Sequence, residues 1–402
     1  MVMGLVRWLR SLVGAVLVLA AGMALAEVAL RLRSLQRSQA TVTATEGCPL
    51  TVPSWQLGYE LQPSTKVEVA VEGRDAVSFR TNSFGFRNDE VVIPKPAGLY
   101  RIVCLGDETL LAPEVAEHAT FCRRLHELLQ SRTQYPIEVV NAAIPHGCPL
   151  TEWLAARTRV MALQPDLVLV HITWSDLADD RELRRFTTSD RHGVPLGCPH
   201  PQLSSRPCVT LGAWRQQFRV VDWSCQQLWK QVEENSPTRT ANSIWSQVET
   251  TAESAEFTHM LEPLQHLHRL CEASYCRCVV WTTPAPWQLS GTATAEGRAR
   301  RIVGVPKNGL ISSRTPFEVM SRTLADWKVP CLDVSGAFPT GSAADALFLP
   351  DQPRWTTDGH QKVAQFVGEQ LIAHLPGPWL SPYFRSEAVP ASYSRPADRP
   401  PR

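Results

Sequence analysis

The sequence lacks an excess of charge of either sign. Among its 402 residues, 40 Lys and Arg are balanced by 39 Asp and Glu, which gives a formal net charge of +1. Proteins that bind nucleic acid through phosphates carry a basic patch or stripe, and no basic block stands out here. We therefore expect no nucleic-acid partner. A composition of 44% hydrophobic and 20% charged residues also excludes a disordered chain and a multi-span membrane protein.

The chain also lacks the paired Cys-x-x-Cys arrays that are typical of structural zinc sites, although it contains 11 cysteines. Cys276 and Cys278 form an isolated Cys-x-Cys with no second pair, and we expect neither a metal nor a cofactor. Cys104 and Cys278 lie in apolar runs and are predicted to be buried thiols. Cys198 and Cys208 flank a Pro/Ser-rich loop and could pair if the compartment is oxidising.

One long apolar run lies near the start of the sequence. Arg7 and Arg10 precede it, and it extends from about residue 11 to residue 26. A positive flank, an apolar core and small residues such as Ala24–Ala26 are typical of an export signal with its cleavage site. The run reaches the roughly 20 residues of a membrane span only if it continues to Leu32. A removed signal and a retained anchor both fit, and both predict an extracytoplasmic protein. A buried soluble helix fits the flanking arginines poorly.

The rest of the chain is predicted to be one elaborated domain. We assign residues 1–35 to the signal or anchor, 36–65 to a linker, 66–375 to the domain and 376–402 to a disordered Pro-rich tail. Within the domain the strand and helix pattern dissolves over residues 180–255, which we interpret as an insertion.

Unbroken apolar runs alternate with amphipathic segments through this domain. Strands are predicted at 100–105, 137–141, 166–172, 278–283 and 329–334, and helices at 121–130, 150–163, 257–274, 315–327 and 357–374. Thr356 is a natural N-cap for the last helix, and alternation over residues 66–93 predicts a hairpin or lid. Apolar runs of this kind are typical of parallel strands with helices on both faces. The sequence therefore predicts a three-layer α/β/α domain with a doubly wound, mainly parallel, five-stranded sheet.

Polar segments follow the predicted strands, where open α/β sheets form their sites. They are Gly106–Thr109, Asn141–Gly147, Thr173–Leu177 and, before the last helix, Asp351–His360. Together with the lead-in Asn82–Arg87, these segments resemble the SGNH (GDSL-like) ester hydrolases over roughly residues 75–375. The resemblance implies a flavodoxin-like fold and acyl transfer. In that chemistry a serine after Gly-Asp attacks, a histidine in Asp-x-x-His takes its proton, and amides and an asparagine bind the oxyanion.

This chain departs from the family pattern at every reacting position. Glu108 occupies the serine position, His146 the glycine position and Ser175 the asparagine position, while Asp351 remains and Arg354 replaces the histidine. A carboxylate is a poor acyl nucleophile, and an arginine, with a pKa above about 12, is no base near neutral pH. We therefore predict an inactive member of the family that binds a glycan, a lipid or an ester-bearing molecule.

Several alternatives remain at these positions. Gly147 could take the glycine role after a shift of one residue, and Glu108 and Arg354 are expected to form an ion pair in the old cleft. An active ester or acetyl hydrolase would need relocated chemistry, for example Thr109 or Ser175 with His146. A scaffold role at the cell envelope is the third possibility. For Asp107 we predict a loop-bracing role, and for His360 a structural one.

Overall fold

The computed structural model describes most of the chain. The described residues are 2–37, 41–43, 50–70, 75–133, 136–200, 203, 214, 217–221, 223–224, 251–295, 297, 299–300, 303–311 and 313–373. Most of the predicted insertion after residue 200, Cys208 and the predicted tail at 376–402 lie outside these residues.

The described chain contains twelve strands and ten α-helices. The strands are β1 Thr41–Thr43, β2 Thr51–Pro53, β3 Tyr59–Leu61, β4 Lys66–Ala70, β5 Val77–Arg80, β6 Tyr100–Leu105, β7 Ile137–Asn141, β8 Leu167–Ile172, β9 Thr188–Ser189, β10 Pro195–Gly197, β11 Arg277–Thr282 and β12 Cys331–Asp333. The helices are Val2–Arg37, Glu108–Leu111, Phe121–Ser131, Pro149–Ala155, Asp176–Leu183, Thr251–Leu261, Pro263–Ala273, Pro286–Leu289, Thr315–Asp326 and Thr357–Ala373.

Five strands form a central parallel sheet in the order β12-β11-β8-β6-β7. Strands β6 and β8 are buried along their whole length, because side chains on both faces are covered. Val103 and Leu105 face one apolar cluster, whereas Ile102 and Cys104 face the other. Helices supply the outer layer of each cluster. The predicted three-layer α/β/α class and five-stranded sheet are therefore confirmed.

The helices differ from the predicted ones where proline or backbone geometry intervenes. The helix predicted over 257–274 is two helices, which meet at Glu262 because Pro263 has no N–H and starts the second one. The helix predicted at 150–163 is α-helical only to Ala155; tighter and wider turns then lead to Gln164, whose φ is +56°. The Thr356 hydroxyl accepts the Gly359 amide at 3.3 Å, as expected for an N-cap.

The segment predicted as a linker contains structure. Strands β2 and β3 pair antiparallel, β1 pairs with β4, and Leu57 forms a bridge with Cys198. Leu50 and Leu57 are buried, so this segment contributes to the core instead of separating the anchor from the domain. The predicted hairpin is present as β4 and β5, which pair antiparallel.

The apolar run near the start of the chain is helical. Within the helix Val2–Arg37, the 20 residues Val13–Leu32 have a mean hydropathy of 2.2 and none of this stretch is buried. At 1.5 Å per residue they extend about 30 Å, the thickness of a bilayer core. By length and composition, this helix is able to cross a membrane.

Candidate functional site

The carboxyl ends of β6, β7 and β8 meet at one edge of the sheet, and the predicted site residues after these strands lie there. The chain after β7 approaches the chain after β6 so closely that a Cβ added at Gly147 would lie 2.3 Å from the Gly106 carbonyl oxygen. Glycine is therefore required at position 147. The structure places Gly147, and not His146, against the backbone of Gly106 and Asp107, in agreement with the one-residue shift considered above.

Asp107 links the loops after β6 and β8. Its side chain is buried; Oδ1 accepts the Thr109 amide at 2.8 Å and caps the short helix Glu108–Leu111. Oδ2 accepts the hydroxyls of Thr173 at 2.8 Å and Ser175 at 3.1 Å. Asp107 is thus placed as a brace that holds two strand-end loops together, which is the role predicted for it.

Two carboxyl groups contact the hydroxyl of Thr173. Its hydroxyl lies 2.8 Å from Asp107 Oδ2 and 2.6 Å from Asp176 Oδ1, yet a hydroxyl has only one proton to donate. One of the two carboxyl groups must therefore supply a proton of its own. Burial raises the pKa of both Asp107 and Asp176, and neighbouring carboxylates raise each further.

Glu152 extends this acidic group into the core. It is fully buried on the helix Pro149–Ala155, and neither of its carboxyl oxygens has a hydrogen-bond partner in the described structure. Burial raises the pKa of Glu152 well above its ordinary value, and the charge of Asp107 raises it further. No group of three His, Cys, Asp or Glu among the described residues is arranged to hold a metal ion.

Glu108 and His146 meet at the rim of the site. Glu108 is half-buried, and its Oε1 accepts the backbone amide of His146 at 3.0 Å. His146 has a φ of +55°, and its Nδ1 lies 3.0 Å from Asp179 Oδ1. The Tyr59 ring lies 4.5 Å from the imidazole, centroid to centroid.

Neighbouring acids raise the pKa of the imidazole of His146, whose side chain is 45% exposed. Desolvation by burial lowers its pKa, but the charge of Glu108 and the hydrogen bond and charge of Asp179 outweigh that effect and raise it to about 10. Burial raises the pKa of Asp179 to about 6 despite the opposing effect of His146. Because the ring is already protonated, it cannot accept a proton from a hydroxyl at neutral pH.

Arg354 does not pair with Glu108, so the predicted ion pair is wrong in its partner. The Arg354 guanidinium instead contacts the Glu114 carboxylate and the Gln352 side chain. Glu114 is 2% exposed at its side chain and Arg354 15%, which makes this a largely buried pair. Asp351 is exposed, and its carboxylate accepts a hydrogen bond from Gln352.

Arg87, in the lead-in segment Asn82–Arg87, holds the loop that carries Glu114. Arg87 is buried and donates from Nη1 to the Leu111 carbonyl at 2.6 Å and from Nη2 to the Val115 carbonyl at 2.5 Å. These bonds fix the loop after the short helix, so that Glu114 meets Arg354 and Glu108 remains with His146. The physical reason for the wrong prediction is therefore a competing acid six residues further along the chain.

The remaining candidates do not form a nucleophile and base pair. The Ser175 hydroxyl contacts Asp107 and Thr173, and Thr109 is buried. His360 accepts the Phe121 amide through Nδ1 at 3.2 Å and ties the last helix to the helix Phe121–Ser131, the structural role predicted for it. His171 is buried in the core, with Nε2 3.1 Å from the Thr283 hydroxyl.

Sequence reasoning missed three acids of this site, Glu114, Glu152 and Asp179. Asp179 had a usable signal, since it lies three residues after Asp176 on one helix and therefore on the same face. The sequence carries no such signal for Glu114, which lies in a loop, or for Glu152, which lies in the core.

Comparison with solved structures finds chains of similar architecture. The lipase/acylhydrolase from Enterococcus faecalis is 11% identical, with a TM-score of 0.37 over 68% of this chain and 95% of that one. A protein from Desulfitobacterium hafniense DCB-2 described as a lipolytic protein of the G-D-S-L family is 9% identical, with a TM-score of 0.36 over 67% and 98%. The acetyl xylan esterase AlAXEase is 11% identical, with a TM-score of 0.35 over 68% and 100%.

No protein-family profile matches the chain. No curated protein matches it either.

Proposed function

We propose that this chain is a membrane-anchored, extracytoplasmic protein that uses an SGNH-type fold for binding and not for catalysis. The observation that carries the proposal is the fate of the two reacting positions. By the family resemblance, the nucleophile position falls on a carboxylate, Glu108, and the base position falls on Arg354, which pairs with Glu114. The imidazole at the site, His146, is bonded to Asp179, and no hydroxyl contact to it is present in the described structure.

The electrostatics of the site oppose ester hydrolysis. Acyl transfer builds negative charge on a carbonyl oxygen, which preorganised donors must stabilise. Here Glu108 places negative charge beside the strand ends. Its carboxylate already accepts the hydrogen bond of the His146 amide, which is therefore not free to bind an oxyanion. Loss of both nucleophile and base leaves at most the roughly 10³–10⁴-fold residual effect seen when triads are removed.

The rim of the site is suited to a polar, hydroxyl-bearing ligand. Glu108 and Asp179 offer acceptors, protonated His146 offers a donor, and the partly buried ring of Tyr59 lies beside them. Convergent polar groups next to an aromatic face are the usual composition of a site that orients a small polar ligand. Among the three ligand classes expected from the sequence, we therefore propose a glycan.

The anchor is part of the same proposal. The helix Val2–Arg37 contains 20 residues, Val13–Leu32, that are long and apolar enough to cross a membrane. We propose that it is retained and spans the membrane, and that the domain lies outside the cytoplasm. The intact mass of the protein purified from membranes tests retention, since loss of residues 1–26 would contradict it.

Ester turnover tests the absence of catalysis. The full chain is incubated with an activated aryl acetate, together with the variants His146→Ala and Ser175→Ala. We expect hydrolysis at the rate of buffer for all three proteins. Turnover above buffer that falls in either variant would contradict the proposal.

A second function, an ester hydrolase with relocated residues, has one observation in its favour. His146 and Asp179, 3.0 Å apart, have the geometry of a base and its orienting acid. The nucleophile would then have to be Ser175, whose hydroxyl would need to leave Asp107 and turn to a deprotonated His146. This hypothesis predicts turnover that rises towards alkaline pH as His146 loses its proton.

A further inference from the structure

A short aromatic segment docks on the apolar helix where its uncharged run ends. The described residues of this segment are 214, 217–221 and 223–224, and we call them the aromatic segment. Glu27 is the first charged residue after the uncharged run 11–26, and its carboxylate accepts the backbone amides of Arg219 at 3.0 Å and Val220 at 2.8 Å. One turn later, Arg31 donates to the Gln217 carbonyl at 3.0 Å and pairs with Glu27.

These contacts fix the depth of the segment relative to the helix. The 20 residues Val13–Leu32 match the roughly 30 Å hydrocarbon core, and Glu27 lies about 8 Å before the end of this stretch. Glu27 therefore lies near the boundary between acyl chains and headgroups, and the described residues that bind it lie near the same boundary. Because two amides and Arg31 satisfy the Glu27 carboxylate, the cost of keeping this charge near lipid is reduced.

The side chains of the segment are those that membrane interfaces favour. Trp214 is 58% exposed, Phe218 37% and Trp223 46%, and the rings of Trp214 and Phe218 stack with centroids 5.6 Å apart. They lie beside a helix whose apolar side chains, such as Leu17 and Leu19, are themselves exposed. Trp and Tyr concentrate at the membrane–water interface because an apolar ring with a polar edge is stable at the headgroup level.

We propose that the aromatic segment is a second membrane contact, which inserts Trp214, Phe218 and Trp223 into the headgroup region of the bilayer that the helix crosses. The inference rests on the proposed retention of the anchor. It adds that Glu27 and Arg31 hold the described residues of the aromatic segment against the end of the helix, so that its exposed rings meet the membrane surface.

Quenching of tryptophan by brominated lipids tests this contact on the full chain. The protein is reconstituted into vesicles of phosphatidylcholine and phosphatidylglycerol that carry bromine either close to the headgroup or near the end of the acyl chain. A Trp8→Phe background removes the tryptophan at the other end of the apolar run. The test variant adds Trp214→Phe and Trp223→Phe, which keeps aromatic character but removes both fluorophores. The matched control adds Trp55→Phe, because Trp55 is 51% exposed and lies outside the aromatic segment.

We expect headgroup-proximal bromine to quench the background protein, and we expect that quenching to be lost in the test variant and kept in the Trp55→Phe control. Weaker quenching by bromine at the chain end would agree with the interfacial depth. Vesicle flotation separates the two proposals. A protein that floats with the vesicles but shows equal quenching in both variants overturns this inference alone. A protein that does not float overturns the anchor and, with it, this inference.

Discussion

The buried pair of Arg354 and Glu114 allows a quantitative test of what this contact contributes to the stability of the fold. Arg354→Met keeps most of the side-chain volume but removes the positive charge, which leaves the Glu114 carboxylate 2% exposed and unpaired. Removing one partner of a buried pair costs about 3–5 kcal/mol, because the other charge remains buried. Glu114→Gln combined with Arg354→Met removes both charges, and we expect the double variant to recover about half or more of that loss.

The loss should also depend on pH in a defined direction. Burial raises the pKa of Glu114, and Arg354 opposes that rise. Without Arg354 the folded-state pKa moves further above the unfolded value of about 4.3. Stability of Arg354→Met is then retained below that unfolded value and falls by about 1.4 kcal/mol per pH unit as pH rises towards the folded pKa. The deficit relative to wild type should therefore be larger at pH 8 than at pH 5.

Urea unfolding of the full chain in detergent, followed by circular dichroism at both pH values, measures these effects. Glu318 and Arg322 provide a matched control, since they are exposed and four residues apart on the helix Thr315–Asp326. Glu318→Gln and Arg322→Met should change stability by no more than about 0.5 kcal/mol. The reasoning is refuted if Arg354→Met costs less than about 1 kcal/mol, or if adding Glu114→Gln recovers nothing.

Three further predictions concern the strand-end site. Glu152→Gln should flatten the pH dependence of the free energy of unfolding. Because the pKa of Glu152 is raised in the folded state, the wild type loses about 1.4 kcal/mol of stability per pH unit above the unfolded pKa of this group. Equal pH dependence of stability in the two proteins would contradict this. His146, with a pKa of about 10, should react slowly with diethyl pyrocarbonate at pH 7, and the variant Asp179→Asn should react faster. Peptide mass spectrometry measures both rates, and equal rates would contradict the ion pair of His146 with Asp179. Gly147→Ala should lower the free energy of unfolding by about 1–3 kcal/mol, because the added Cβ would collide with the Gly106 carbonyl. An unchanged midpoint of urea unfolding would show that the two loops can separate.

The sheet was predictable because each central strand is a continuous apolar run. Strands β6 and β7 begin and end at the predicted residues, and both faces of β6 are buried, so the pattern has little ambiguity. The helix break at Pro263 was also predictable from the sequence, since proline interrupts helix hydrogen bonding. The strands in the predicted linker were not, because β1 and β2 are only three residues long and their order depends on partners elsewhere in the chain.

The contacts of the predicted site residues were not predictable from the sequence. The family resemblance predicts that Glu108 and Arg354 occupy two positions that touch, and their opposite charges suggested that they pair. Which acid reaches Arg354 depends on the loop that Arg87 fixes, and no spacing along the chain encodes that geometry. The same holds for Glu152, whose lack of a partner is a property of the packed core.

The most direct test of lost catalysis is reaction of the full chain with a fluorophosphonate probe, followed by intact-mass and peptide mass spectrometry. The probe forms a covalent adduct with a hydroxyl that a neighbouring base activates. A serine esterase in the same tube confirms that the probe is reactive. With Glu108 and Arg354 at the nucleophile and base positions, we predict no adduct on this chain. Stoichiometric labelling of Ser175 or Thr109 would contradict the account.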